Sequence, residues 1–249
     1  MSLCVSFFCY TEENRRSTEL HRGNPLKLSR LFAIGDIHGC FKTFYELVIR
    51  EIDLKKEDKL ILLGDYIDRG AQSKEVVDFI IDLQAKGFDV VPLTGNHEAM
   101  LLASYYDPSM FYLWHMNSCE STLLSFGVEN VRDIGKCYID FFSGLKYYES
   151  IGNFLFVHAG FNDSEADPFS DSEHMIWESR PDYENPVLLG KTIIHGHRPK
   201  TLEFVRKQIA GRSGVITIDT GCVYGLEIGY GYLSALDVNE MILYPVPND

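Results

Sequence analysis

Leu60-Ile61-Leu62-Leu63-Gly64-Asp65-Tyr66-Ile67-Asp68-Arg69-Gly70 joins four apolar residues to two acids and a base, bracketed by glycines. An apolar run this short fits a strand buried on both faces, as strands of a parallel sheet are. Upstream stands RLFAI, followed by CFKTFYELVIREI with Phe41, Phe44, Leu47 and Val48 at helical spacing. Downstream, SKEVVDFIIDLQAKG has helical periodicity and a glycine stop, and FDVVPLT is a third apolar run. Strand, helix, strand, helix, strand predicts right-handed βαβ units and a parallel sheet.

The rhythm breaks over residues 98–145, which read as a helical insertion carrying Tyr105, Tyr106, Phe111, Tyr112 and Trp114. This aromatic cluster reads as core that seats helices on the sheet, with a substrate lid as the minority reading. The remainder is rich in strand patterns: LKYYESI, NFLFVH, KTIIH, GVITIDT, YLSALDV and MILYPV. Gly152-Asn153 between the first two predicts a hairpin. The expectation is a single α/β domain over 30–249 with a mixed sheet system, preceded by a polar N-terminal extension over 1–29.

The chain has 249 residues and a net charge of −13. Such a charge argues against general binding to nucleic acid or docking on an anionic membrane, but not against a small phosphorylated substrate beside bound metal. Six cysteines, Cys4, Cys9, Cys40, Cys119, Cys137 and Cys222, form no CxxC pair. They read as scattered reduced thiols. No apolar run has the length of a membrane span, and the expected location is cytoplasmic.

The apolar runs end in one kind of chemistry. They stop at Gly35-Asp36-Ile37-His38-Gly39, at the opening stretch, at Gly95-Asn96-His97-Glu98, at His158-Ala159-Gly160 and at His195-Gly196-His197-Arg198. Five of the eight histidines fall in these segments; His21, His115 and His174 do not. Ligands of open α/β sheets bind beyond the carboxyl ends of the strands, so five such ends can share one crevice. Asp36, Asp65 and Asp68 together in a low-dielectric site would repel one another unless divalent cations neutralised them. Carboxylate, imidazole and amide oxygen suit Mn²⁺, Fe or Zn²⁺. Each motif alone has a plainer reading: an Asx turn for GDIHG, a structural ion pair for Asp68–Arg69, a helix start for Glu98. Five in order leave little room for coincidence.

GDxHG, GDxxDRG and GNHE in this order resemble the calcineurin-like metallophosphoesterases. The DRG form is similar to the phosphoprotein phosphatase branch, with its small bacterial and phage-type members and the symmetrical dinucleoside-tetraphosphatases. The resemblance spans residues 30 to 245 or so. It implies a two-sheet β-sandwich flanked by helices, with a two-metal centre at the strand ends. It implies Asp36 and His38 as ligands of the first metal, Asp65 as a bridge, and Asn96, His158 and His197 as ligands of the second. It implies His97 as the general acid, Asp68 as its orienting partner and Arg69 as a phosphate clamp, with His195 supporting the ligands from behind. Relatives carry Trp-x-Arg between the late histidines, whereas here Arg180 stands three places after Trp177. Arg180 is a candidate second clamp, or else a surface arginine paired with Glu178 or Asp182. Arg198 is a further candidate, or an exposed loop charge.

The implied activity is metal-dependent hydrolysis of a phosphate ester by hydroxide bridging two divalent ions, manganese foremost. The expected substrate is a phosphorylated protein or peptide, with phosphoserine, phosphothreonine or phosphotyrosine. The alternative is a dinucleoside polyphosphate, and a non-catalytic scaffold stands third.

Overall fold

In the computed structural model, which describes residues 29–226 and 229–248, the expected two-layer architecture is present. The proposed extension falls, apart from Ser29, outside the described residues. Three parallel strands form the first layer's heart: β1 (Leu31–Ile34), β2 (Lys59–Leu62) and β3 (Asp89–Pro92). The two connections carry α1 (Phe41–Glu46) and α2 (Ser73–Ala85). On α2, Val76, Val77, Ile80 and Leu83 are buried, the helical spacing the sequence predicts. The first helix departs from expectation. After α1 it widens into a π-helical stretch over Leu47–Glu51, where the Ile52 N–H reaches the Leu47 carbonyl at 3.0 Å.

Residues 96–143 form the helical insertion: α3 (Asn96–Tyr106), α4 (Phe111–His115), α5 (Glu120–Phe126) and α6 (Lys136–Ser143). The chain then enters a second sheet. β4 (Tyr148–Ile151) and β5 (Phe154–Val157) make the hairpin predicted at Gly152-Asn153, with Gly152 at φ +59°. After α7 (His174–Trp177), β6 (Thr192–His195) joins β5 in parallel; after α8 (Leu202–Ala210), β7 (Val215–Thr217) joins β6. The chain returns to the first sheet through β8 (Tyr232–Asp237), antiparallel to β1, and β9 (Ile242–Pro247) on the edge. The sheet orders are β3-β2-β1-β8-β9 and β4-β5-β6-β7.

Strand alternation explains the stacking. Leu31, Ala33, Ile61 and Leu63 share one buried cluster with Phe156, Ile194 and Ile216 of the second sheet. Phe32, Ile34, Leu60 and Leu62, the intervening residues, pack with the helices on the other face. Strands buried on both faces need near-continuous apolar runs, which is why LFAI and LILL carry no polar residue. The sandwich thus brings the carboxyl ends of β1, β2, β3, β5 and β6 together.

Candidate metal centre

The loops after these strands are held in uncommon backbone shapes. Nine non-glycine residues have positive φ among the described residues, and five of them are motif residues. They are His38 (45°), Asp65 (53°), Asp68 (69°), Arg69 (69°) and His197 (65°). Each costs on the order of 1–3 kcal/mol, so their concentration here marks a site whose side-chain directions matter more than local comfort. Two glycines permit the close approach. A Cβ at Gly95 would lie 2.1 Å from Asp65 Oδ1, and one at Gly196 2.1 Å from Asp36 Oδ1. Neither loop could approach the carboxylate it abuts with a larger residue.

The histidines reveal what converges there. His158 Nδ1 lies 2.8 Å from the Leu63 carbonyl, His197 Nε2 3.0 Å from the Trp177 carbonyl and His38 Nδ1 2.9 Å from the Ile67 carbonyl. A carbonyl only accepts, so each of these nitrogens carries the proton and donates. The other nitrogen of each ring is therefore a lone pair. His158 Nε2 and His197 Nδ1 face each other at 3.1 Å, with Asn96 Oδ1 3.0 and 3.1 Å from them. Three acceptors pointing at one another repel unless a cation lies among them. Asp65 adds a carboxylate oxygen 3.5 Å from His158 Nε2 and another 3.6 Å from His38 Nε2. Donor atoms of Asp65, His158 and His197 lie within 4.8 Å of one another, as do those of His38, Asp65 and His97; Asp65 belongs to both sets.

Protonation separates the ligand-like histidines from His97. Burial, chiefly, pushes His38 and His197 down to about 3, and it lowers His158 too. These rings are neutral and able to bind a metal. His97 goes the other way. Burial disfavours its cation, but Asp65 and the hydrogen-bonded Asp68 outweigh it and raise the pKa. His97 Nδ1 donates to Asp68 Oδ2 at 2.6 Å, and His97 Nε2 is buried with no hydrogen-bond partner among the described residues, 3.9 Å from Asp65 Oδ2. Distance alone would group His97 with a metal set. Its carboxylate partner and its raised pKa set it apart from the three lone-pair rings.

The carboxylates are arranged differently from expectation. Asp36, with both oxygens accepting from the His197 N–H at 3.0 and 3.1 Å, is pushed well above the carboxylate range by burial and by Asp219 and Asp65. Asp219 itself, buried, is pushed up to about 7. Asp65 stays below the ordinary range: burial opposes its charge, and the surrounding imidazoles outweigh that. The third member of the repelling trio is thus Asp219, not Asp68. Asp68 turns toward His97, Trp114 and Thr122. Asp219 stands just past β7, where its Oδ1 accepts the Gly221 N–H at 2.9 Å.

Of the arginines, Arg69 Nη1 lies 2.7 Å from His38 Nε2, within the cluster. Arg198 is exposed and lines a groove of about 520 Å³ with Leu113, Trp177 and Glu178. Arg180 is engaged elsewhere: its Nη1 pairs with Asp163 at 3.2 Å and its guanidinium lies 5.6 Å from the Tyr183 ring centre. Its ion-pair partner is thus Asp163, not the Glu178 or Asp182 of the plainer reading. His195 is buried, with Nδ1 bonded to the Gly196 carbonyl, immediately behind the His197 loop.

Glu98 does start the helix, as read: from the first turn of α3 its side chain reaches back to the Gly95 N–H. It also does more, as a completely buried carboxylate that accepts three backbone N–H groups. Oε2 takes those of Asp65 and Gly95 at 2.9 Å each, and Oε1 takes that of Tyr66 at 2.8 Å. One side chain therefore locks the loop after β2 to the loop after β3. The GNHE spacing could have suggested a capping box, in which the third helical residue reaches back, but not the reach across to Asp65.

Residues 29–234 match the family model described as calcineurin-like phosphoesterase. The chain belongs to that family and hydrolyses phosphoester bonds with divalent metal. Among its relatives, the asymmetrical bis(5'-nucleosyl)-tetraphosphatase PrpE of Anoxybacillus flavithermus is 26% identical over 86% of this chain and 93% of its own. A crystal structure assigned provisionally as a diadenosine tetraphosphatase superposes with a TM-score of 0.61 at 22% identity, covering 91% and 96% of the two chains. A protein serine/threonine phosphatase from Saccharomyces cerevisiae superposes at 0.63 with 14% identity over 90% and 81%, a likeness of fold.

The donor set fits divalent cations: neutral imidazoles with tautomers fixed from behind, an ionised carboxylate and an amide oxygen. Binding should therefore stabilise the fold. Mn²⁺ at about a hundred times its dissociation constant should add about 2.7 kcal/mol. Thermal unfolding followed with Mn²⁺ and then with a chelator checks this; identical curves would rule out the cluster as a cation site.

Proposed function

We propose that His97 is the proton donor in a metal-dependent phosphoryl hydrolysis and that the strand-end cluster holds two cations, manganese first among the candidates. Asp36, His38 and Asp65 would hold one, and Asp65, Asn96, His158 and His197 the other. The observation that carries the reading is the split among the histidines, with three lone-pair nitrogens in the cluster and one raised, carboxylate-bonded ring beside them. Bound cations supply Lewis acidity and a nucleophilic water at neutral pH. Arg69, whose Nη1 lies 2.7 Å from His38 Nε2, would take the phosphoryl oxygens, where a guanidinium fork matches two acceptors. His97 gives its proton to the leaving oxygen, and Asp68 holds the ring so that Nδ1 keeps its own proton and Nε2 faces the cluster.

For the substrate, a dinucleoside polyphosphate has the stronger support, which reverses the order expected from sequence. The near full-length relationship to the A. flavithermus enzyme favours it. So does a groove that offers the Trp177 ring, the Leu113 side chain and the Arg198 cation. A phosphorylated peptide remains the second reading. The same groove holds Glu173 and Glu178, neither ion-paired among the described residues, and these would welcome basic flanking residues. A panel of diadenosine tetraphosphate, phosphopeptides and p-nitrophenyl phosphate at fixed Mn²⁺ separates them. We expect kcat/KM for the dinucleotide to exceed that for phosphopeptides by roughly ten- to a hundredfold. The reverse order would install the peptide reading, and no hydrolysis of any member would favour a binding scaffold.

A further inference from the structure

The helical insertion reaches the proton donor through a buried carboxylate. Asp68 is completely buried and each of its oxygens is engaged. Oδ2 accepts from His97 Nδ1 at 2.6 Å and from Trp114 Nε1 at 2.8 Å. Oδ1 accepts from Thr122 Oγ1 at 2.5 Å. The Thr122 hydroxyl in turn accepts from the Asp68 N–H at 2.8 Å, so backbone, hydroxyl and carboxylate close a small ring; Ser73 Oγ supports it at 3.1 Å. Trp114 is at the end of α4 and Thr122 is in α5, and both are fully buried.

Packing alone does not require these atoms. Phenylalanine would fill most of the Trp114 site and valine the Thr122 site. What indole N–H and hydroxyl add is a fixed direction for a carboxylate whose only other side-chain donor among the described residues is His97. Removed, they would leave Asp68 free to turn about its last torsion, and the His97 ring would turn with it. His97 Nε2, unpartnered and aimed at the Asp65 side of the cluster, would then lose its alignment. Alignment of a proton donor matters most when the leaving oxygen is strongly basic.

We propose that Trp114 and Thr122 are positioning residues for proton donation: the insertion holds Asp68, Asp68 holds His97, and His97 meets the leaving group. This rests on the functional reading above, with His97 as donor. It gives the insertion a part in the chemistry separate from any contact with substrate. It also predicts a specific kinetic signature, because substrates with good leaving groups need no donor.

The test compares Trp114→Phe and Thr122→Val with the wild-type enzyme at saturating Mn²⁺ on p-nitrophenyl phosphate and phenyl phosphate. Loss of a general acid altogether is worth about 10²–10⁴-fold, so misalignment should lower kcat for phenyl phosphate roughly tenfold or more. The loss on p-nitrophenyl phosphate should be clearly smaller, KM and the Mn²⁺ activation constant should hold, and Thr122→Ser should recover the wild-type ratio. Unfolding curves confirm that the variants compared are folded; should Trp114→Phe unfold, the Thr122→Val and Thr122→Ser pair decides. Equal losses on both esters, or a weakened response to Mn²⁺, would overturn the inference while leaving the functional reading in place. A wild-type enzyme inactive on both esters would overturn the two together.

Discussion

His97→Ala should slow hydrolysis of esters with basic leaving groups by about 10²–10⁴-fold, the usual worth of a positioned general acid. Metal content should not change. The reason lies in what each nitrogen faces. His97 Nδ1 is committed to Asp68, and its pKa is raised by carboxylates, whereas the ligand-like rings are held neutral by burial. Asn96→Ala, one residue away, should do the opposite. Asn96 Oδ1 stands 3.0 and 3.1 Å from two lone-pair nitrogens, the place of a ligand and not of a proton donor. Its loss should weaken metal binding, and excess Mn²⁺ should restore much of the rate. Metal analysis of both variants alongside single-turnover rates checks the division. Equal metal loss from the two would end it.

Glu98→Ala should be the most damaging single change to stability near the site. It leaves the N–H groups of Asp65, Tyr66 and Gly95 buried without acceptors. An unsatisfied buried donor costs about 1–3 kcal/mol. Relief of a carboxylate that burial and Asp65 push up to about 7 offsets part of the sum. A net loss of about 3 kcal/mol would lower Tm by roughly 6–12 °C in a chain of this size. Glu98→Gln is informative because it keeps the volume. Its amide has one oxygen and an NH₂, so at least one of the three N–H groups would face a donor. It too should destabilise, by about 1–3 kcal/mol. Thermal unfolding of the metal-free proteins measures both; an unchanged Tm in either would mean that the loops after β2 and β3 are held by something else.

The apolar runs, the helical spacing on α2, the Gly152-Asn153 hairpin and the residues at the strand ends are all legible in the sequence. These are short-range properties. A strand buried on both faces must be apolar over its length, and a turn that aims a side chain at a shared crevice must bring its own glycine. The sheet partners of β8 and β9 and the π-helical widening after α1 had no such local mark.

The same division runs through the site. Asp36, His38, Asp65, Asn96, His97, His158 and His197 could be picked out because each stands where an apolar run stops. Asp219 and Thr122 carried no such mark, and Glu98 and Trp114 were legible only as a helix start and a core aromatic. Trp114 and Thr122 grip Asp68 from 46 and 54 residues away, and Glu98 reaches Asp65 across 33. In sequence, Trp114 is one aromatic among several and Thr122 an ordinary helix residue. Periodicity reports which face of an element is buried. It does not report which buried polar group will meet which, because that follows from how the insertion packs over the loop after β2. Chain-local chemistry therefore specified the types and order of the candidate ligand residues, while packing chose the partners that orient them. A buried carboxylate has to find its donors wherever the fold brings them, and here the fold brought them from the helical insertion.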